Sequence, residues 1–187
     1  KQNTHKKVSK TVNENSKHTE KFSNIAFLGL NVCGISSKLP YDILSNFISN
    51  FDIICMTETK ATKIPKDEFP NYDIFCMKQK TKLHGLALIV KSDLFPYTKQ
   101  IENTQSKCIL WVGFGSSINS LSFIVGSVYI PGESSKYADK NDYDIISEDI
   151  VYLHSIYRCP FILIGDFNSQ TGSLNDFQMQ NETKQFL

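Results

Sequence analysis

The chain has 187 residues, of which 41% are hydrophobic and 12% aromatic, which is enough apolar material for one domain with a hydrophobic core. It contains no apolar run of membrane-spanning length, so no membrane association is expected. A net charge of +1 excludes a surface that binds nucleic acid through overall basicity alone.

Residues 1–22 differ from the rest of the chain in charge and polarity. They hold six lysines against two glutamates, a local charge of +4 that leaves −3 on the remainder. Because they contain almost no large apolar side chains, they are predicted to form a flexible leader before a domain spanning residues 23–187. This leader is either a solvated tail or a nonspecific tether to nucleic acid. The chain begins with Lys1 rather than Met, which suggests a fragment of a longer protein.

The cysteines indicate a reducing compartment. There are five, an odd number, with no CxxC spacing, and several lie in apolar runs. This pattern favours reduced thiols over a disulfide framework or a zinc site. An intracellular protein, nuclear or cytoplasmic, is therefore expected.

Segments of strand and helix character follow the leader in chain order. The first half is predicted to contain strands at Ile25–Leu30, Ile53–Met56, Tyr72–Met77 and Gly85–Lys91, with a short helix at Asp42–Ile48. The second half is predicted to contain a hairpin of Ile109–Phe114 and Leu121–Tyr129, a helix at Ile145–Tyr157 and a strand at Phe161–Ile164. Strands outnumber helices, and hairpins mix with crossovers. This order favours an α/β or α+β sandwich of mixed sheets with helices packed outside.

Polar side chains follow several of these strands. Phe161–Ile164 is apolar throughout, typical of a strand buried on both faces, and it leads into Asp166 and Asn168, which strand alternation would place on one side. A carboxylate and an amide there can activate water and bind a developing anion. A plain Asx turn is the structural alternative. Asn31 and Glu58 end two other strands, and Glu58 is either a surface residue or a ligand for a hard cation such as Mg²⁺.

Five short motifs, taken together and in this order, resemble the endonuclease/exonuclease/phosphatase superfamily over roughly residues 24–175. They are Leu30-Asn31-Val32-Cys33-Gly34, Met56-Thr57-Glu58-Thr59, Gly85 to Lys91, Val128-Tyr129-Ile130-Pro131 and Ile164-Gly165-Asp166-Phe167-Asn168. The string from Gly165 to Gly172 is most similar to the endonuclease domains of LINE-type non-LTR retrotransposons.

The resemblance implies a four-layer α/β sandwich with two mixed β-sheets, from which this chain would lack the final strands. It implies a phosphodiesterase that uses Mg²⁺, with Mn²⁺ as a substitute, and acts on DNA. It also implies further C-terminal domains, such as a reverse transcriptase, in a full-length protein. The alternatives are a phosphatase or phospholipase of the same superfamily, and a non-catalytic remnant that serves as a binding module.

The resemblance also assigns roles to five residues. Glu58 would bind the metal, and Asn31 would support both metal and phosphate. Tyr129 would donate a hydrogen bond to a phosphate oxygen. Asp166 would position or deprotonate the attacking water, and Asn168 would steady the phosphoryl group in the transition state. From the residues alone, Tyr129 could instead be a core aromatic and Asn31 a turn former.

The chain departs from the superfamily pattern in two places. It has no Ser-Asp-His segment after the Asp166 strand, and none of its four histidines replaces that motif. His84, just before a core strand, is the candidate for a substrate-facing histidine. Cys33 stands where some members carry an acidic residue. The 187-residue chain is therefore expected to be a poor nuclease by itself.

Overall fold

The computed structural model describes residues 22, 24–35, 41–61, 63–77, 85–132 and 134–169. Residues 1–21 and His84 lie outside this range, so the predicted leader and the predicted role of His84 stay predictions. The longer elements in the described part are β1 (Phe27–Asn31), α1 (Tyr41–Ile48), β2 (Ile53–Thr57), β3 (Tyr72–Cys76), β4 (Ala87–Lys91), β5 (Thr98–Ile101), β6 (Ile109–Ser117), β7 (Ser120–Tyr129), α2 (Asp142–Tyr157) and β8 (Phe161–Asp166).

The strands form two four-stranded mixed sheets. Sheet A has the order β1-β2-β4-β3, and sheet B has the order β5-β6-β7-β8. Each sheet contains one parallel pair, β1 with β2 and β7 with β8, and its other pairs are antiparallel. The predicted α/β fold with two mixed sheets is confirmed.

Three apolar cores stack these elements into four layers. Alternation along β2 places Ile53 and Cys55 in the core between the sheets, and Ile54 and Met56 in the core under α1. On the far side, Leu153 of α2 belongs to a third core against the outer face of sheet B. The order is therefore α1, sheet A, sheet B and α2, because each sheet must bury both of its apolar faces.

Some of the strand predictions made from the sequence are wrong in detail. Strand β5 was not predicted, because Thr98-Lys99-Gln100 shows no apolar pattern. The β6–β7 hairpin turns over two residues, 118 and 119, rather than over the predicted stretch 115–120. Strand β8 is half-buried rather than buried on both faces, since it is the outer strand of sheet B among the residues described.

Phe22 lies at the boundary between the predicted leader and the predicted domain. Phe22, assigned by sequence to the flexible leader, packs edge-on against Phe123 with ring centroids 5.6 Å apart. No disulfide joins any two of the five cysteines, all of which lie within the described residues. No helix in the described ranges has both the length and the apolar character needed to cross a bilayer.

Candidate active site

The two parallel strand pairs bring four strand ends to one edge of the sandwich. Asn31 pairs with Thr57 at the ends of β1 and β2, and Tyr129 pairs with Asp166 at the ends of β7 and β8. Strand β1 packs on β8, where an added Cβ at Gly29 would lie only 2.7 Å from a side-chain carbon of Ile164. The absence of a side chain at this position therefore lets the two sheets approach closely, with their carboxyl ends together.

Asn31 joins carboxylates that come from different sheets. Its Nδ2 donates to Glu58 Oε1 and to Asp166 Oδ2, each at 3.0 Å. Its Oδ1 accepts a hydrogen bond from the backbone N–H of Cys33 at 3.1 Å, which fixes the orientation of the amide. The two carboxylate oxygens therefore lie within two hydrogen-bond lengths of each other, held by a neutral donor that lessens their mutual repulsion.

The loop that carries Glu58 is held on both sides. Glu58 has a left-handed backbone, with φ 51°, and its carbonyl accepts a hydrogen bond from Gly34 N–H at 2.7 Å. The next residue, Thr59, is buried and donates its N–H to the carbonyl of Gly85 at 3.0 Å. Left-handed backbone costs a non-glycine residue about 1–2 kcal/mol. These backbone contacts offset that cost and fix the direction of the glutamate side chain.

Tyr129 lies against the same carboxylates. Burial raises the pKa of its phenol to about 12, together with the negative charge of Glu58, a hydrogen bond to Glu58 and the charge of Asp166. The hydroxyl is therefore protonated at neutral pH, and Glu58 accepts its hydrogen bond.

Strand alternation was predicted to place Asp166 and Asn168 on one side. The structure instead brings them together through a turn. Strand β8 ends at Asp166, and Asn168 has a left-handed backbone with φ 45°. Asp166 Oδ1 accepts the backbone N–H of Asn168 at 3.0 Å, the hydrogen bond of an Asx turn. Asn168 Nδ2 donates to the carbonyl of Ile130 at 2.8 Å, which ties this turn to the end of β7. The turn and the site are therefore one structure rather than alternatives.

Two residues near the site were not identified from the sequence. Lys60 Nζ lies 3.8 Å from Glu58 Oε2 and 3.6 Å from Cys33 Sγ. Tyr143, at the start of α2, donates its hydroxyl to the carbonyl of Phe167 at 2.7 Å. Lys60 could have been noticed from its position two residues after Glu58. No sequence signal places Tyr143 there, because the chain must fold back after β7 to bring it to this loop.

The charged and amide groups suit a hard divalent cation. Among the residues described, no three or more His, Cys, Asp or Glu side chains form a cluster able to hold a metal. Mg²⁺ nevertheless needs only one or two carboxylates, with waters and substrate phosphate completing its shell, and Glu58 and Asp166 meet that requirement. His154, the one histidine in the described ranges, packs near Phe161 at the opposite end of β8.

Comparison with known proteins gives the family. The sequence model of the Endonuclease/Exonuclease/phosphatase family matches residues 28–185. No curated protein matches the chain significantly. Similar solved structures include the AP endonuclease LMAP from Leishmania major, with TM-score 0.58, 15% identity and coverage of 81% of this chain and 59% of that one.

Two further structures are similar at comparable levels. The Xenopus laevis APE2 catalytic domain has TM-score 0.53 and 15% identity, with coverage of 78% of this chain and 58% of that one. The 3′ phosphatase NExo from Neisseria, bound to product DNA hairpin, has TM-score 0.52 and 17% identity, with coverage of 77% and 57%. The chain thus spans less than two thirds of each, and at these identities the likeness shows the fold. With most of its length matched by the family model, the chain belongs to the Endonuclease/Exonuclease/phosphatase family.

Proposed function

We propose that this chain is a Mg²⁺-dependent phosphodiesterase, and more narrowly a DNA endonuclease domain of the retrotransposon type. The observation that carries the proposal is the Asn31 amide, which bridges Glu58 and Asp166 at 3.0 Å each where the two sheets meet. A strand-end carboxylate pair with nearby neutral donors is what hydrolysis of a phosphodiester requires.

Glu58 would be the principal ligand of the divalent ion, with Asn31 holding its side chain in place. When bound, Mg²⁺ would supply positive charge to the phosphate oxygens as negative charge develops there. Glu58 suits this role because Asn31 and Tyr129 hold its carboxylate from two sides while its Oε2 stays next to the exposed Lys60 ammonium.

Asp166 would position the attacking water and accept its proton. Each of its oxygens already accepts one hydrogen bond, from Asn168 N–H and from Asn31, and a carboxylate oxygen has a second lone pair for water. Tyr129, protonated at neutral pH, would turn its single O–H from Glu58 to a phosphate oxygen when substrate binds. Asn168, whose side chain is exposed at the turn, would steady the phosphoryl group.

DNA is the favoured substrate for two reasons. The lysines of residues 1–22 concentrate positive charge next to a domain that is otherwise acidic. The similar Neisseria enzyme is described with a product DNA hairpin. The retrotransposon type rests on the string from Gly165 to Gly172, and the intracellular location rests on an odd number of cysteines without CxxC spacing.

A 3′-phosphatase is the second candidate, because one similar structure is of that activity. It would use the same carboxylates and donors on a terminal phosphate rather than on an internal diester. A 3′-phosphorylated oligonucleotide, assayed beside a circular plasmid, separates the two. Phosphate release without nicking would favour the phosphatase.

Plasmid nicking with Mg²⁺ tests the proposal. The proteins compared are this chain, a longer chain that includes the natural downstream sequence, and Asp166→Ala in each, with Glu148→Ala on the exposed face of α2 as a matched carboxylate control. We expect cleavage by the longer chain, little by the 187-residue chain, loss in Asp166→Ala and no loss in the control. If the longer chain does not nick, or nicks equally with Asp166→Ala, the proposed function is wrong.

A further inference from the structure

Lys60 has a fixed backbone and an exposed charged end at the edge of the site. Its backbone is left-handed, with φ 52°, and the preceding residue, Thr59, is 1% exposed. Thr59 accepts a hydrogen bond from Ile35 N–H at 3.0 Å and donates its own N–H to Gly85 at 3.0 Å. The Lys60 side chain, by contrast, is 45% exposed. Its ammonium is therefore tethered near the site but able to change partners.

The Lys60 ammonium makes only weak contacts with its present partners, Cys33 and Glu58, so its charge can still pair with another group. Cys33 Sγ, at 3.6 Å, is a weak hydrogen-bond acceptor. Glu58 Oε2, at 3.8 Å, is beyond good hydrogen-bonding distance, and Asn31 donates to the other oxygen, Oε1. A cation bound to Glu58 would repel the ammonium. The phosphate of a bound substrate would then offer the ammonium a negative charge in place of Glu58.

The charge of the site also favours a further cationic group beside the metal ion. Glu58 and Asp166 place two carboxylates together, and a phosphodiester brings a further negative charge to the same place. One divalent cation offsets the carboxylates and leaves the phosphodiester unpaired. An ammonium at this distance supplies the remaining positive charge without taking up a metal ligand position.

We propose that Lys60 is a substrate-binding residue whose ammonium contacts a backbone phosphate of the nucleic acid strand held at the site. This inference rests on the proposed function, since it assumes a phosphodiester next to Glu58. The alternative is that Lys60 only braces Glu58 through their ion pair. The two differ in what they predict for the salt dependence of DNA binding, because only a phosphate contact releases counterions from DNA.

The test is fluorescence anisotropy of a labelled DNA duplex, titrated with the longer chain at several salt concentrations. Ca²⁺ replaces Mg²⁺ so that no cleavage occurs during the measurement. We expect Lys60→Ala to reduce the slope of log Kd against log salt by about 1, the value for one lost phosphate contact. Lys60→Arg should retain most of the slope. Lys99→Ala, exposed on β5 at the opposite edge of sheet B from β8, should leave it unchanged.

The possible outcomes separate this inference from the function on which it rests. An unchanged slope in Lys60→Ala, an equal loss in Lys99→Ala, or no DNA binding by the unaltered protein would each overturn the role of Lys60. If Asp166→Ala loses Mg²⁺-dependent nicking while Lys60→Ala keeps the salt slope of the unaltered protein, the proposed function stands and only the role of Lys60 is wrong. If Asp166→Ala nicks as well as the unaltered protein does, the proposed function itself is wrong.

Discussion

Replacing Gly85 with alanine should destabilise the protein and displace the loop that carries Glu58. Gly85 has a left-handed backbone, with φ 44°, and an added Cβ would lie 2.1 Å from Thr59 Oγ1 and 3.0 Å from Lys60 N. Left-handed backbone costs alanine roughly 1–2 kcal/mol. Forcing a methyl group into a packed position costs roughly 1–3 kcal/mol more. The free energy of unfolding should therefore fall by about 2–5 kcal/mol, a large part of a typical domain's stability.

Urea denaturation followed by Trp111 fluorescence measures this loss. Gly132→Ala is the matched control, because its added Cβ would lie no closer than 3.7 Å to Asn168 and its backbone is not left-handed. The control should change stability by less than about 0.5 kcal/mol. If Gly85→Ala is as stable as the control, the close packing of Gly85 against Thr59 and Lys60 is not what holds the Glu58 loop, and the reasoning is wrong.

Tyr143, Tyr129 and Asp52 each make contacts that a single substitution can test. Tyr143→Phe removes a hydrogen bond to the loop behind Asp166 and should lower the turnover of an active form several-fold while costing only about 0.5 kcal/mol of stability. An absorbance titration at 295 nm should show one tyrosine that ionises near pH 12 and is absent in Tyr129→Phe. Since the folded pKa of Tyr129 exceeds its unfolded value of 10, its contribution to stability is lost as pH rises from 10 to about 12. Burial tends to raise the pKa of Asp52, but hydrogen bonds from a backbone N–H and from Lys91 hold it below its usual value. Because the folded pKa is lowered, the ionised carboxylate stabilises the fold above about pH 4, and this contribution is lost as pH falls. The free energy of unfolding that Asp52→Asn removes should therefore be largest above about pH 4 and decrease at lower pH. A stability difference that stays constant between pH 2 and pH 6 would contradict the last prediction.

Local sequence patterns were enough to predict most of the sandwich. Runs of apolar, β-branched residues such as Ile53–Met56 specify a buried strand almost without reference to the rest of the chain. Glu58 could be singled out because it directly follows such a strand, and Asp166 because it follows an apolar run after a single glycine. The mixed character of the sheets followed from the alternation of hairpins and crossovers.

The remaining features depend on contacts between distant parts of the chain. The bridging role of Asn31 requires Asp166, 135 residues away, and a backbone N–H of Cys33 that orients the amide. Strand β5 exists because it pairs with β6, not because Thr98–Ile101 has a strand pattern of its own. Asn168 reaches the site through a left-handed turn, which strand periodicity cannot anticipate.

Divalent-cation binding tests the central claim, that Glu58 and Asp166 form one metal-dependent site, most directly. Mn²⁺ is a paramagnetic substitute for Mg²⁺, and its binding to the 187-residue chain can be followed by electron paramagnetic resonance without any need for cleavage. We predict one Mn²⁺ site whose affinity falls at least about tenfold in Glu58→Gln and in Asp166→Asn. Glu148→Gln, on the exposed face of α2, should bind Mn²⁺ as the unaltered chain does. Equal Mn²⁺ affinity in the unaltered chain, Glu58→Gln and Asp166→Asn would contradict the account.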